Sequence, residues 1–143
     1  MYLDSAILVK LVVREPDSLF YAGLVDGQCG VWSSSLAVTE CWSALCRKVR
    51  DGDIDLATRG EAWARLEDAI GTERLHLQAV TLPVLRLANR FIGQCDGRVA
   101  LRTLDAIHLA SCECCGAGLL LTNDRVMRLA AETLHLPLGP TAG

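Results

Sequence analysis

The chain has 143 residues, a formal net charge of −3 and 51 % apolar residues. That length predicts one domain over residues 1–143, and that composition excludes disorder, which needs low hydrophobicity and high net charge. The longest run free of Asp, Glu, Lys and Arg is the 13 residues from Gly27 to Thr39, short of the about 20 a membrane-spanning helix needs, and the acidic balance is unlike that of a simple electrostatic nucleic-acid binder.

Met1 to Leu3 reads as a short strand, and Ser5 to Val13 as a helix ending before Arg14-Glu15-Pro16, because the residue before a proline resists helical angles. Asp17-Ser18 is placed to cap a second helix through Leu24. Gly30 to Ser33 reads as a strand. Ser35 to Arg50 is a long helix with Val38, Trp42, Leu45 and Val49 on one stripe, stopped by Asp51-Gly52. Asp55 to Ile70 is a further helix. Leu75 to Val80 alternates as an edge strand does. Pro83 suits the first turn of a helix that runs to Cys95. Thr103 to Cys115 is helical. Gly118 to Thr122 carries three consecutive leucines, the pattern of a strand buried on both faces. Asn123-Asp124 is placed to cap a last helix to Glu132, and Leu136 to Leu138 suggests a final strand.

Strands thus alternate with helices, which predicts an α/β fold with a parallel sheet between helical layers. In open sheets of this kind, ligands bind at the carboxyl ends of the strands. Of the 17 acidic residues, most sit among other charges, but Asp4, Glu40, Asp105 and Asp124 stand in apolar company. Asp4 and Asp124 each end a strand and precede a helix, so both also read as N-caps. Asp105 near a helix start also suits the helix dipole. Glu40 has no capping-box partner at Ala37. If the first and fourth strands are neighbours, all four acids reach one pocket. Their repulsion calls for a positive filling. Hard Mg²⁺ or Mn²⁺ suits oxygen ligands better than Zn²⁺ does, and such a site suits phosphodiester hydrolysis.

Four segments carry a family likeness: Met1-Tyr2-Leu3-Asp4-Ser5, Ser33 to Glu40, Leu104 to Ala110, and Leu121-Thr122-Asn123-Asp124-Arg125. Together they resemble PIN domains, especially the VapC-type toxins of type II toxin–antitoxin pairs. The resemblance covers nearly the whole chain. It implies a three-layer α/β/α fold with a parallel sheet of four to five strands in the order 3-2-1-4-5. It implies an Mg²⁺- or Mn²⁺-dependent endoribonuclease that cuts RNA and is blocked by a VapB-like antitoxin. By the same likeness Asp4, Glu40, Asp105 and Asp124 are metal ligands, and Thr122 is a hydroxyl that orients a ligand or water. Arg102, Arg125 and Arg128 lie near these segments as candidate phosphate contacts.

Other readings compete. A phosphatase or receiver-like domain also uses an acidic Mg²⁺ pocket. It needs a second acid near the first strand, where this chain has Ser5 and Ala6, and a late lysine, where none follows Lys48. A non-catalytic binding module would use the acids only as caps. His108 and Cys112 share a helix face with Cys114 and Cys115 nearby, but one helix alone does not supply the four converging ligands of a zinc site. The odd count of 7 cysteines prevents complete internal pairing. Asp4 and Lys10 break up the apolar start, so no secretory leader is expected. A cytoplasmic location follows, with reduced thiols. Leu19, Phe20, Leu24, Trp42 and Trp63 are more apolar surface than a small monomer needs, which predicts a homodimer.

Overall fold

The structure, a computed structural model, describes residues 1–142. Gly143, the last residue of the expected domain, lies outside the described residues. In chain order the elements are β1 (Tyr2–Leu3), α1 (Ser5–Val12), α2 (Ser18–Val25), β2 (Trp32–Ser34), α3 (Leu36–Arg50), α4 (Leu56–Gly71), β3 (His76–Gln78), α5 (Leu82–Cys95), α6 (Thr103–Cys114), β4 (Leu120–Leu121) and α7 (Arg125–Thr133). The strands form a four-stranded parallel sheet in the order β3-β2-β1-β4. Tyr2 pairs with Leu120 and Leu3 with Leu121, so β1 and β4 end side by side.

Successive strand residues point to opposite faces, and here each face has its own core. Tyr2 and Leu120 pack with Val84, Phe91, Leu109 and Ala130 of α5, α6 and α7. Leu3 and Leu121 pack with Ile7, Tyr21, Cys41, Leu45 and Leu66 of α1 to α4. This is the expected three-layer α/β/α arrangement. The sheet order is 3-2-1-4. At the place of the fifth strand, Leu138 makes one parallel bridge to Leu120, and no strand forms there among the described residues. That segment runs very close to β4, since a Cβ on Gly139 would collide with the buried Leu121 side chain.

Two expectations need correction. The buried face of α3 is Ala37, Cys41 and Leu45, not the Val38/Trp42/Leu45/Val49 stripe. Trp42 is 40 % exposed and meets Trp63 edge to face at 5.0 Å, with Arg59 over its ring. The small faces of Ala37 and Cys41 let α3 approach α1, and the tryptophans lie outside that seam. Asp17 makes no capping bond. It accepts from Lys10 Nζ at 2.7 Å instead.

Candidate functional site

Helix starts at the carboxyl end of the sheet place the acids. Asp4 follows β1 and caps α1, its Oδ1 accepting from the Ile7 amide at 2.8 Å. Asp124 follows β4 and caps α7 in the same way, accepting from the Met127 amide at 2.8 Å. The N-cap reading of both is therefore correct, and each cap uses one carboxylate oxygen. Asp4, Glu40, Asp105 and Asp124 all line one cleft, with Ser5, Lys10, Arg47, Lys48 and His108 around them. Thr122 lies fully buried beneath it. Its Oγ1 accepts from the Asp124 amide at 3.0 Å, so the hydroxyl supports the turn that carries Asp124 out of β4.

The cleft concentrates negative charge. Burial pushes the Asp4 carboxyl up; the Thr122 hydroxyl, the Ile7 amide and His108 pull the other way, and Asp124 adds to the rise. Burial also raises Asp105, helped by the charges of Asp124 and Glu40 and opposed by His108 and Arg102. Glu40 differs. Burial alone would raise it, but hydrogen bonds from His108 and Ser5 outweigh burial and hold it below the usual range. His108 Nε2 stands 2.6 Å from Glu40 Oε2, and the Ser5 hydroxyl donates to the same oxygen.

The donor set is four carboxylates with no thiolate among them, which suits a hard divalent cation. Two raised carboxyls in a shared field are what such a cation would relieve. As the side chains lie, however, no three of the described His, Cys, Asp and Glu residues are grouped closely enough to hold a metal ion. The donors fit Mg²⁺ or Mn²⁺ in kind, and their resting geometry is open.

The arginine, histidine and cysteine candidates take different places. Arg128 donates to the backbone carbonyls of Thr122 at 3.1 Å and Gly139 at 3.2 Å, so it braces the loop after β4. Arg102 and Arg125 are exposed and do not line the cleft, whereas Lys10, Arg47 and Lys48 do. Lys10 and Lys48 both pair with Glu15, at 2.7 and 2.8 Å. His108 turns to Glu40 and Tyr2, not to the cysteines. All seven cysteines are free thiols. The signal for His108 was its place three residues after Asp105, on the same helix face.

A parallel 3-2-1-4 sheet between helices, with Asp, Glu, Asp and Asp in that chain order around a cleft at its carboxyl end, defines a PIN-type domain. The PIN domain family model matches residues 1–132. The chain is 38 % identical over 138 residues to Ribonuclease VapC46 of Mycobacterium tuberculosis (strain ATCC 25618 / H37Rv), a match that covers 95 % of this chain and 93 % of that protein. It is 32 % identical over 144 residues to Ribonuclease VapC45 of strain CDC 1551 / Oshkosh and to Ribonuclease VapC49 of strain H37Rv, each match covering 98 % of this chain and 94 % of the relative. The chain belongs to the PIN-domain family, among its VapC-type members.

Proposed function

We propose that this protein is a metal-dependent endoribonuclease, the toxin of a toxin–antitoxin pair, with Asp4, Glu40, Asp105 and Asp124 as its metal ligands and residues 1–143 as one catalytic domain. The observation that carries this is the side-by-side ending of β1 and β4, which delivers Asp4 and Asp124 to a cleft that Glu40 and Asp105 also line. The ribonuclease names of its relatives support the substrate class.

A bound Mg²⁺ or Mn²⁺ would activate a water and stabilise the charge that develops on the phosphate. The protein's own part is to hold the acids in place. The helix caps fix Asp4 and Asp124 through one oxygen each, Thr122 stiffens the turn that leads from β4 to Asp124, and His108 with Ser5 fixes Glu40. In hydrolysis the water oxygen forms the new P–O bond, the bridging ester oxygen leaves, and a proton passes to it. Arg47 lines the cleft without an ion pair among the described residues, so it is the basic side chain most available to an RNA phosphate.

The partner proposed is a VapB-like antitoxin whose Arg or Lys enters the acidic cleft. A second cleft of about 970 Å³ between α1, α2 and α4 joins Leu8, Leu11 and Leu19 to a charged rim of Arg65, Asp68 and Arg74, which suits an antitoxin segment with an apolar face. We propose a reducing, cytoplasmic location; the odd count of 7 cysteines excludes complete internal pairing.

The purified, antitoxin-free protein is expected to cut single-stranded or loop RNA with Mg²⁺ or Mn²⁺ and to stop with EDTA. Asp4→Asn and Asp124→Asn should each slow cleavage at least ~100-fold, the scale of losing a preorganised charge-stabilising group. Asn caps a helix about as well as Asp, so folding should survive both changes. Cleavage at wild-type rates by both variants would remove the assignment.

A further inference from the structure

Behind the acidic cleft runs a chain of buried polar contacts: Tyr2 on β1, His108 on α6 and Glu40 on α3. The Tyr2 phenol is fully buried. Its oxygen lies 2.7 Å from His108 Nδ1, and the two rings meet edge to face at 5.9 Å. The imidazole is also buried, and its other nitrogen, Nε2, lies 2.6 Å from Glu40 Oε2. The glutamate side chain is 24 % exposed at the cleft.

The direction of these bonds follows from donor chemistry. An ionised carboxylate only accepts, so His108 Nε2 carries the proton that meets Glu40. In the neutral ring Nδ1 is then bare and accepts from the Tyr2 hydroxyl. The phenol is protonated at neutral pH, as an ordinary tyrosine is, and so is able to donate. Beside it, Ser111 Oγ is buried without a well-formed hydrogen bond of its own. The Ser5 hydroxyl donates to the same Glu40 oxygen. Both donors thus meet Oε2, and no described protein donor meets Oε1.

We infer that Tyr2 and His108 are positioning residues: the phenol fixes the imidazole tautomer, and the imidazole fixes the Glu40 carboxylate with one oxygen left free for a cation. This rests on the metal-site reading of Glu40. A partner that orients a ligand in this way typically contributes about 10–100-fold to metal affinity.

Two readouts test the pair without measuring cleavage. Long-range ¹H–¹⁵N NMR of the metal-free protein reads the His108 tautomer, and titration with Mn²⁺ alone reads affinity. Wild type is expected to show protonated Nε2 and bare Nδ1. His108→Leu should weaken Mn²⁺ binding about 10–100-fold. His108→Gln, whose amide can still donate to Glu40, should recover most of it. Tyr2→Phe keeps the ring and removes the donor. It should raise the Nδ1–H population and weaken Mn²⁺ several-fold, and it serves if His108→Leu does not fold. A wild-type ring protonated only at Nδ1 overturns the inference. So does wild-type Mn²⁺ affinity in folded His108→Leu, or in Tyr2→Phe with an unchanged tautomer. A wild type that binds no Mn²⁺ overturns the metal-site reading itself, while the tautomer still decides whether the pair is built as described.

Discussion

Asp4 and Asp105 both resist ionisation, Asp4 because it is buried under α1 and Asp105 because burial adds to the fields of Asp124 and Glu40. An acid whose pKa is higher folded than unfolded holds its proton more tightly in the folded state. Ionising it as pH rises above the ordinary value of 3.8 therefore removes stability. Asp105→Asn keeps the shape and deletes that charge. In EDTA the variant should melt above wild type at pH 7, with the gap closing as pH falls toward about 4, the ordinary carboxylate range. Metal at 100 times its dissociation constant adds about 2.7 kcal/mol, so wild type should gain several degrees in Mg²⁺ or Mn²⁺ and the variant much less. Equal melting temperatures in all these conditions would mean that the acids do not act as a cluster. Residue chemistry made Asp4 and Asp124 legible from the sequence, because an acid between a strand and a helix stands at the end of the sheet where ligands bind. The cap and the site are the same carboxylate doing two things. His108 was harder to see, since sequence spacing matches it as well with Cys112 as with Asp105. Only the packing of α6 against β2 and α5 turns its ring to Tyr2 and Glu40.

Among the elements, the strands were legible where both faces are buried, as in the three leucines around β4, and their lengths were not. The alternation runs from Leu75 to Val80, yet only His76–Gln78 pairs, because β2 offers three partners. The helix faces were less legible. Large apolar side chains suggested the buried stripe of α3, but burial depends on how closely helices approach, and the small Ala37 and Cys41 stand on the buried face. A charged tie holds the elements beside the cleft together: Glu15 accepts from Lys10 of α1 and from Lys48 of α3. Burial would raise the Glu15 carboxyl, but its two lysines outweigh that and lower it. A lowered acid contributes stability above its unfolded pKa and loses it as pH falls through the folded value. Glu15→Gln should therefore cost roughly 1 kcal/mol at pH 7, as partly exposed ion pairs do, and almost nothing at about pH 2, where carboxylates are protonated. Denaturant melts at the two pH values read this difference. An equal cost at both would mean that the tie is packing and not charge.

For the whole molecule, two cores on either side of a short sheet hold the acidic cleft at one edge and leave apolar surface around α2 and α3. Leu19 is 79 % exposed and Trp42 40 %. A homodimer that buries part of this surface is expected, and sedimentation velocity at micromolar concentration should show twice the 15.5 kDa chain mass. A monomer at all concentrations would contradict it. The order of the first four strands followed from the resemblance carried by four segments, each weak alone, while the fifth strand of that expectation reduces to one bridge at Leu138. The open resting geometry of the acids was not legible, because it depends on side-chain positions that sequence order does not encode. Whether these carboxylates close on a cation is tested most directly by crystals soaked in Mn²⁺, with anomalous scattering collected near the manganese edge. The expected result is a manganese peak in the cleft, bound by oxygens of Asp4, Asp124 or both together with Glu40 or Asp105. A cleft without manganese, with the four carboxylates still apart, would contradict the metal site.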